Sequence, residues 1–227
     1  MTLPSGQHLI SDFPRFGLSQ YAERFPAAAD SKSIEISGDV QNPCSLDLHT
    51  YELPMHDQIS DFHCVTTWSC KNLHWRGYLF RDVFEEILKP HVQVDPEATH
   101  VIFCAQDGYK NILPLADLMA EDVMLATHLN EQPLSIAHGA PLRLVAPAHY
   151  GYKSVKHLKQ IKFIRNPKAF KTVWYSQFLT HPRGRVAFEE RGQGIPNWLF
   201  RMIFSRAING NRIRFERAMH QYELNQS

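Results

Sequence analysis

The stretch DFHCVTTWSCKNLHWRGYLF, Asp61 to Phe80, sets a cysteine directly after a histidine, follows it with Val-Thr-Thr-Trp-Ser, and places a second cysteine at Cys70. A metal site, a nucleophile, a redox pair and a plain buried core each explain part of it. A zinc site would use Cys64, Cys70, His63 and His74, but the gap between the cysteines exceeds the roughly two to four residues that usually separate such ligands. A Cys64 nucleophile needs a base beside it. Neighbours on a strand point to opposite faces, so His63 is badly placed for that work. A Cys64–Cys70 disulfide does not persist in a reducing compartment. Free cysteine is among the most buried residue types, so a structural thiol also fits.

The whole chain narrows the classes. Its 227 residues suffice for one large domain or two small ones. With 44% hydrophobic and 21% charged residues and a formal net charge of +1, nothing pulls it towards nucleic acid or a membrane surface. Four cysteines are too few for a disulfide-built scaffold of this length. The start, MTLPSGQHLISDFPRFG, has no basic, apolar or twin-arginine signal, and no run approaches the roughly 18 apolar residues of a membrane span. The expectation is a soluble cytoplasmic protein with reduced thiols.

Residues 1–30, rich in Pro, Phe and Ala, read as an arm laid over a core. SIEISGDV alternates apolar and polar residues, as a strand with one buried face does. A short strand over Ser45–Leu48 follows the Asn42-Pro43 turn. Leu79, Val83, Phe84, Ile87 and Leu88 recur at helical spacing and predict a helix ending before Pro90. THVIFCAQDGY predicts a strand running into an Asp107-Gly108 turn, LPLADLMAED a short helix, and VMLATHLNEQPLS a hairpin around Asn130-Glu131. PLRLVAP predicts a strand, and GYKSVKHLKQIKFI a turn passing into another. Many short strands with few helices give an α+β class. Residues 31–166 form the predicted main domain, and 167–227 a basic, aromatic C-terminal extension, helical in pieces and laid on the core. Cys44 and Cys104 are expected to be buried. Lys153 and Lys156 are open to reading as a solvated face.

The ordered set FHCVTTWS, WRGYLFRDVF, DGYKNILPLAD, EDVMLATHLNEQPLSIAHGAPLRLVAP and YGYKSVKHLKQI resembles the sulfite-oxidase-like molybdopterin oxidoreductases. Its marks are Cys-x-x-x-Trp-Ser, Trp-x-Gly before a helix, Asp-Gly-Tyr with Leu-Pro-Leu, Gly-x-Pro-x-Arg-Leu and Lys-Ser-x-Lys, in that order across residues 31–166. PSGQHLISDFPRFG is a weaker echo. The resemblance implies the sulfite oxidase fold, with mixed short sheets, and an oxygen-atom-transferring enzyme. Its cofactor would be a single molybdopterin carrying molybdenum. Cys64 would be the only protein ligand to the metal, a soft thiolate suited to a thiophilic redox ion. His138, Arg143, Ser154, Val155, Lys156 and Asp107 would hold or flank the pterin and its phosphate. Tyr152 and His63 would hydrogen-bond a metal oxo group or substrate.

The chain also departs from that family. Sulfite oxidisers set arginines just after the metal cysteine, whereas Val65, Thr66, Thr67, Trp68 and Ser69 follow Cys64 here. The expected substrate is therefore sulfoxide-like, as in the branch that resembles the methionine-sulfoxide-reducing enzymes. With no haem motif in the sequence, electrons are expected to come through a separate cytochrome, flavoprotein or quinone-linked partner. Two rival readings are a binding module that keeps the fold without catalysis, and a zinc protein using Cys64 and Cys70.

Overall fold

A computed structural model of the protein describes residues 2–27, 33–171 and 180–226. Two mixed sheets with few helices make an α+β protein. In the first sheet, β1 (His8–Leu9), β5 (Trp68–Leu79), β8 (Met124–Leu129) and β10 (Arg143–Val145) lie in that order, with β4 (His56–His63) also on β5 and β9 (Gln132–Pro133) on β8. The second sheet runs β3 (Cys44–Asp47), β2 (Ser33–Gly38), β11 (Leu158–Ile164), β6 (His100–Ala105), β7 (Lys110–Pro114).

The sequence pattern explains these elements. In β2, Ile34 and Ile36 point into the core while Ser33 and Glu35 face out. β6 is apolar on both faces because both are covered. Val101 and Phe103 join the main core, and Ile102 and Cys104 a smaller cluster with Ile112 and Ile164. Asn130 and Glu131 both adopt left-handed backbone and close the β8–β9 hairpin where expected. α1 (Phe80–Val83) continues as a wider, π-type helix over Phe84–Val92 and so runs through Pro90, where the spacing predicts a stop. The wider winding takes in a proline that ordinary α-helical hydrogen bonding resists, and Gln93 in the left-handed region ends it. α2 is Leu115–Leu118.

The arm is tied down by pairing: His8 aligns with Trp68 and Leu9 with Ser69, parallel to β5. The 30/31 boundary lies outside the described residues, as does the stretch from Trp174 to Leu179. The extension holds one continuous helix, α3 (Asn197–Leu224), where the sequence suggests pieces. Some of its polar ties run to the arm: Asn211 Nδ2 donates to Gly17 O at 2.7 Å, and Arg214 pairs with Glu23 at 3.3 Å. Among the described residues no helix is long and apolar enough to cross a membrane.

Two polar residues lie differently from expectation. Cys44 is exposed, because it is the first residue of an edge strand, β3. Lys153 is buried, donating from Nζ to Ile112 O (2.7 Å) and Pro182 O (2.6 Å), which ties β7 to the extension. Burial pulls its ammonium down to about 7, against the partial support of Asp117 and Glu190. The unfolded chain holds this proton up to about pH 10.4. Stability therefore rises with pH above about 7, by at most about 1.4 kcal/mol per unit for this proton, and is flat below. Lys153→Met should remove that share of the slope, measured as denaturant midpoints between about pH 6 and 9.

Candidate active site

β4 and β5 are joined by the turn Cys64–Val65–Thr66–Thr67. Thr67 N–H donates to Cys64 O at 3.2 Å, and Cys64 N–H donates to Trp68 O at 2.8 Å. Thr67 holds φ 86°, an uncommon conformation for a β-branched residue. The turn ends β4 so that Phe62 and Cys64 both face a cavity. The Cys64 thiol is buried, with Sγ 3.1 Å from Thr66 Oγ1. Burial pushes it up from its ordinary value. The Thr66 contacts and the charge of Arg191 pull the other way without prevailing.

The same cavity collects almost every residue that the sequence singles out: Asp107, His138, Arg143, Tyr152, Ser154, Val155 and Lys156. His138 ends a 3-10 turn, stacks on Phe13 with ring centroids 4.9 Å apart, and is held down to about 4 by burial, then by Arg143 and Lys156. Arg143 opens β10 and is buried over Trp75, its guanidinium 4.9 Å from the ring centre. It donates to His138 O (2.9 Å) and Ser154 O (3.4 Å), while its Nε has no partner. Lys156 donates to Ala137 O (3.3 Å) and Phe16 O (3.4 Å), and burial followed by Arg143 and Arg15 pulls it down to about 7. Asp107 accepts from Tyr109 N–H at 2.9 Å in its turn, and burial raises its carboxyl.

Three predicted roles meet a different geometry. His63 does not line the cavity. It sits on the opposite side of β4, with Nδ1 2.8 Å from Ser69 Oγ, so strand alternation turns it away from a substrate. Tyr152 borders the cavity, but its hydroxyl accepts from His181 N–H (3.0 Å) and lies 3.3 Å from His181 O. Val155 N–H is donated to Lys153 O at 3.0 Å, so this amide is already used. Ser154 Oγ accepts from Ala146 N–H (3.2 Å) and keeps its own proton to donate.

The sequence reading misses the rest of the wall. Arg15, Phe16 and Tyr21 come from the arm, and Phe215 from α3. Arg15 donates to Ala22 O (2.7 Å) and stacks over Phe25 (4.2 Å) and Phe215 (5.0 Å), and burial lowers it to about 10. No periodicity marks these residues, since the arm is irregular and α3 has no clean apolar face. A Cβ at Gly151 would strike the Phe62 ring, which explains a glycine there.

The model of the oxidoreductase molybdopterin-binding domain matches residues 22–174 of the chain. The chain belongs to that family. A Bacillus subtilis protein described as the uncharacterized oxidoreductase YuiH is 36% identical over 72% of this chain and 79% of its own length. The catalytic subunit of the protein-methionine-sulfoxide reductase MsrP from Campylobacter jejuni is 30% identical over 63% of this chain and 52% of its own. The Xanthomonas campestris subunit is 28% identical over 78% and 62%. The chain thus spans half to three fifths of those subunits. The crystal structure of the sulfane dehydrogenase SoxCD from Paracoccus pantotrophus shares the fold, with a TM-score of 0.57, 19% identity, and coverage of 73% of this chain and 45% of that one.

The residues fit what a molybdopterin-binding domain must hold. Arg143, Lys156 and Arg15 bring three basic side chains to one cavity; among the described residues none is within ion-pairing distance of a carboxylate, and Asp107 in the same wall supports Arg15 and Lys156 only at longer range. Buried charge without a partner is costly. An anionic phosphate supplies the missing counterpart, and the free Arg143 Nε offers it a donor. Gly139 lets the two chains close up, since a Cβ there would lie 3.0 Å from Lys156 Cβ and 3.1 Å from Arg143 Cβ at φ +110°. Gly139→Ala should cost about 1–3 kcal/mol in denaturant unfolding and loosen cofactor retention.

Proposed function

We propose that the protein is a molybdenum–molybdopterin enzyme that reduces a neutral sulfoxide, R2SO, to the sulfide and water with two electrons and two protons. The observation that carries this is the meeting of a buried cysteine thiol with three basic side chains, none of them in an ion pair, in one cavity. Cys64 would hold the metal through sulfur. Bound there, the group supplies two-electron oxygen-atom exchange. Arg143, Lys156 and the Ser154 hydroxyl would hold the phosphate and pterin edge. His138, kept neutral by burial and its two cationic neighbours, offers a ring nitrogen without adding charge.

The wall nearest Cys64 sets the substrate class. Phe62, Val65, Thr66 and Trp68 present apolar and hydroxyl groups and no cation. Such a wall suits a neutral, polarised S=O group and offers a sulfite dianion no clamp. MsrP relatives at about 30% identity support the sulfoxide reading. The electrons would come from a separate electron-transfer protein, such as a cytochrome, flavoprotein or quinone-linked carrier, and the site of action would be the cytoplasm. The zinc reading finds little support: among the described residues no three His, Cys, Asp or Glu side chains converge, and Cys70 does not line the cavity.

The test is elemental analysis of protein made in a host that assembles the cofactor, followed by turnover with a reduced artificial dye. Near-stoichiometric molybdenum with sulfoxide-dependent oxidation of the dye is expected. Metal-loaded protein that turns over sulfite and ignores sulfoxides would reverse the substrate assignment. Loaded protein inert to both would favour the non-catalytic binding module.

A further inference from the structure

Arg191 lies in the segment before α3, far from the cysteine in sequence, yet it is 0% exposed. Its Nη1 donates to Val65 O at 2.6 Å, and its Nη2 donates to Ser5 O at 2.9 Å. The Nε pairs with Glu189 at 3.1 Å. Glu189 also binds Arg201 of α3 through its carboxylate, and its carbonyl accepts from Asn197 Nδ2 at 2.9 Å. The guanidinium stacks over Tyr150, 5.0 Å from the ring centre. All three guanidinium nitrogens are therefore committed, each to a different part of the chain.

The acceptor at one end of this chain of contacts is the carbonyl of the residue that directly follows Cys64. A second tether holds its neighbour, since Gln7 Nε2 donates to Cys64 O at 3.0 Å. The two carbonyls of the Cys64–Val65 pair are thus pinned from outside the hairpin, in a turn whose Thr67 takes an unfavourable φ. A turn that stores backbone strain stays in place only when its surroundings over-determine it. A planar fork with charge-assisted bonds restrains direction as well as distance, which a single hydrogen bond does not.

We propose that Arg191 is a positioning residue of the metal site, which fixes the Cys64 turn and, through Glu189 and Arg201, makes the C-terminal helix part of that site. This rests on the reading of Cys64 as the metal's anchor. Outer-shell partners of ligands typically govern metal retention by about 10- to 100-fold.

The experiment compares loaded wild type with Arg191→Met, Arg191→Lys and Glu189→Gln. It follows molybdenum lost on dialysis and the electron paramagnetic resonance signal of the half-reduced metal, with thermal melts alongside. Arg191→Met should lose molybdenum roughly 10 to 100 times faster than wild type, with a shifted signal. Arg191→Lys should recover part of the retention. Glu189→Gln keeps both carbonyl bonds of Arg191 and should shift the signal in the same direction by less. Should Arg191→Met fail to fold, the signal of Glu189→Gln decides alone. Unchanged retention and signal in the folded variants would overturn the proposal while leaving the enzyme reading standing. A wild type that takes up no molybdenum overturns both.

Discussion

Cys64→Ser leaves a protein that folds but does not turn over. The substitution exchanges sulfur for oxygen, which can accept the same Val65 and Thr66 contacts, while the backbone bonds of Cys64 to Trp68 and Thr67 are unchanged, so the melting temperature should stay within a few degrees of wild type. The soft donor is lost. A thiolate matches a thiophilic redox metal, and a serine hydroxyl is both harder and far less acidic. Since outer-shell partners alone cost about 10- to 100-fold when removed, loss of the ligand itself should cost at least about 100-fold in sulfoxide turnover. The pterin pocket remains, so the organic part of the cofactor should still be recoverable from the variant. Cys70→Ser is the control. It leaves the cavity wall untouched and should keep full metal content. Full turnover by Cys64→Ser would end the assignment of Cys64 as anchor.

Arg143→Met should act with opposite sign on the two forms of the protein. In the cofactor-free form, the buried guanidinium donates to only two carbonyls and otherwise lies over the Trp75 ring, and burial alone pulls it down to about 9. Replacing an unpaired buried ion by an apolar chain of similar volume often stabilises by about 1–4 kcal/mol. The two carbonyls that lose a donor give back about 1 kcal/mol each. The net expectation is a small gain, seen as a melting temperature higher by about 2–4 °C per kcal/mol. In the loaded form the order reverses, because the arginine is then paired with an anion and the variant is not. Calorimetry of both proteins, with and without cofactor, reads the crossing directly. A variant that loses stability in both forms would show that the guanidinium is structural.

Much of this site is legible in the sequence, for a physical reason. Residues that share one hairpin or one strand carry their geometry in their spacing. The alternation of Ile34 and Ile36 gives a strand, Asn130-Glu131 a hairpin, and the ordered motifs from Phe62 to Lys156 a family. His63 is the instructive failure. Period-two alternation already sets it on the face away from Cys64, and the structure keeps it there. Arg15, Arg191 and Phe215 are illegible for the converse reason. They reach the site from the two outlying parts of the chain, where irregular backbone or a helix without a clear face leaves no pattern to read. Lys153 shows the same limit in a motif: spacing puts it beside Ser154, but its burial follows from Pro182, which the sequence does not place nearby.

The cavity wall carries one more consequence. Phe13, Arg15 and Phe16 lie early in the chain and Phe215 late, and Phe16 stacks on Phe215 with centroids 6.2 Å apart. The hairpin with Cys64 and the Lys-Ser-Val-Lys turn leave the ribosome well before Phe215 is made. The wall of the chamber they border is incomplete until Phe215 has been made. The arm and α3 then meet like a clasp across that wall.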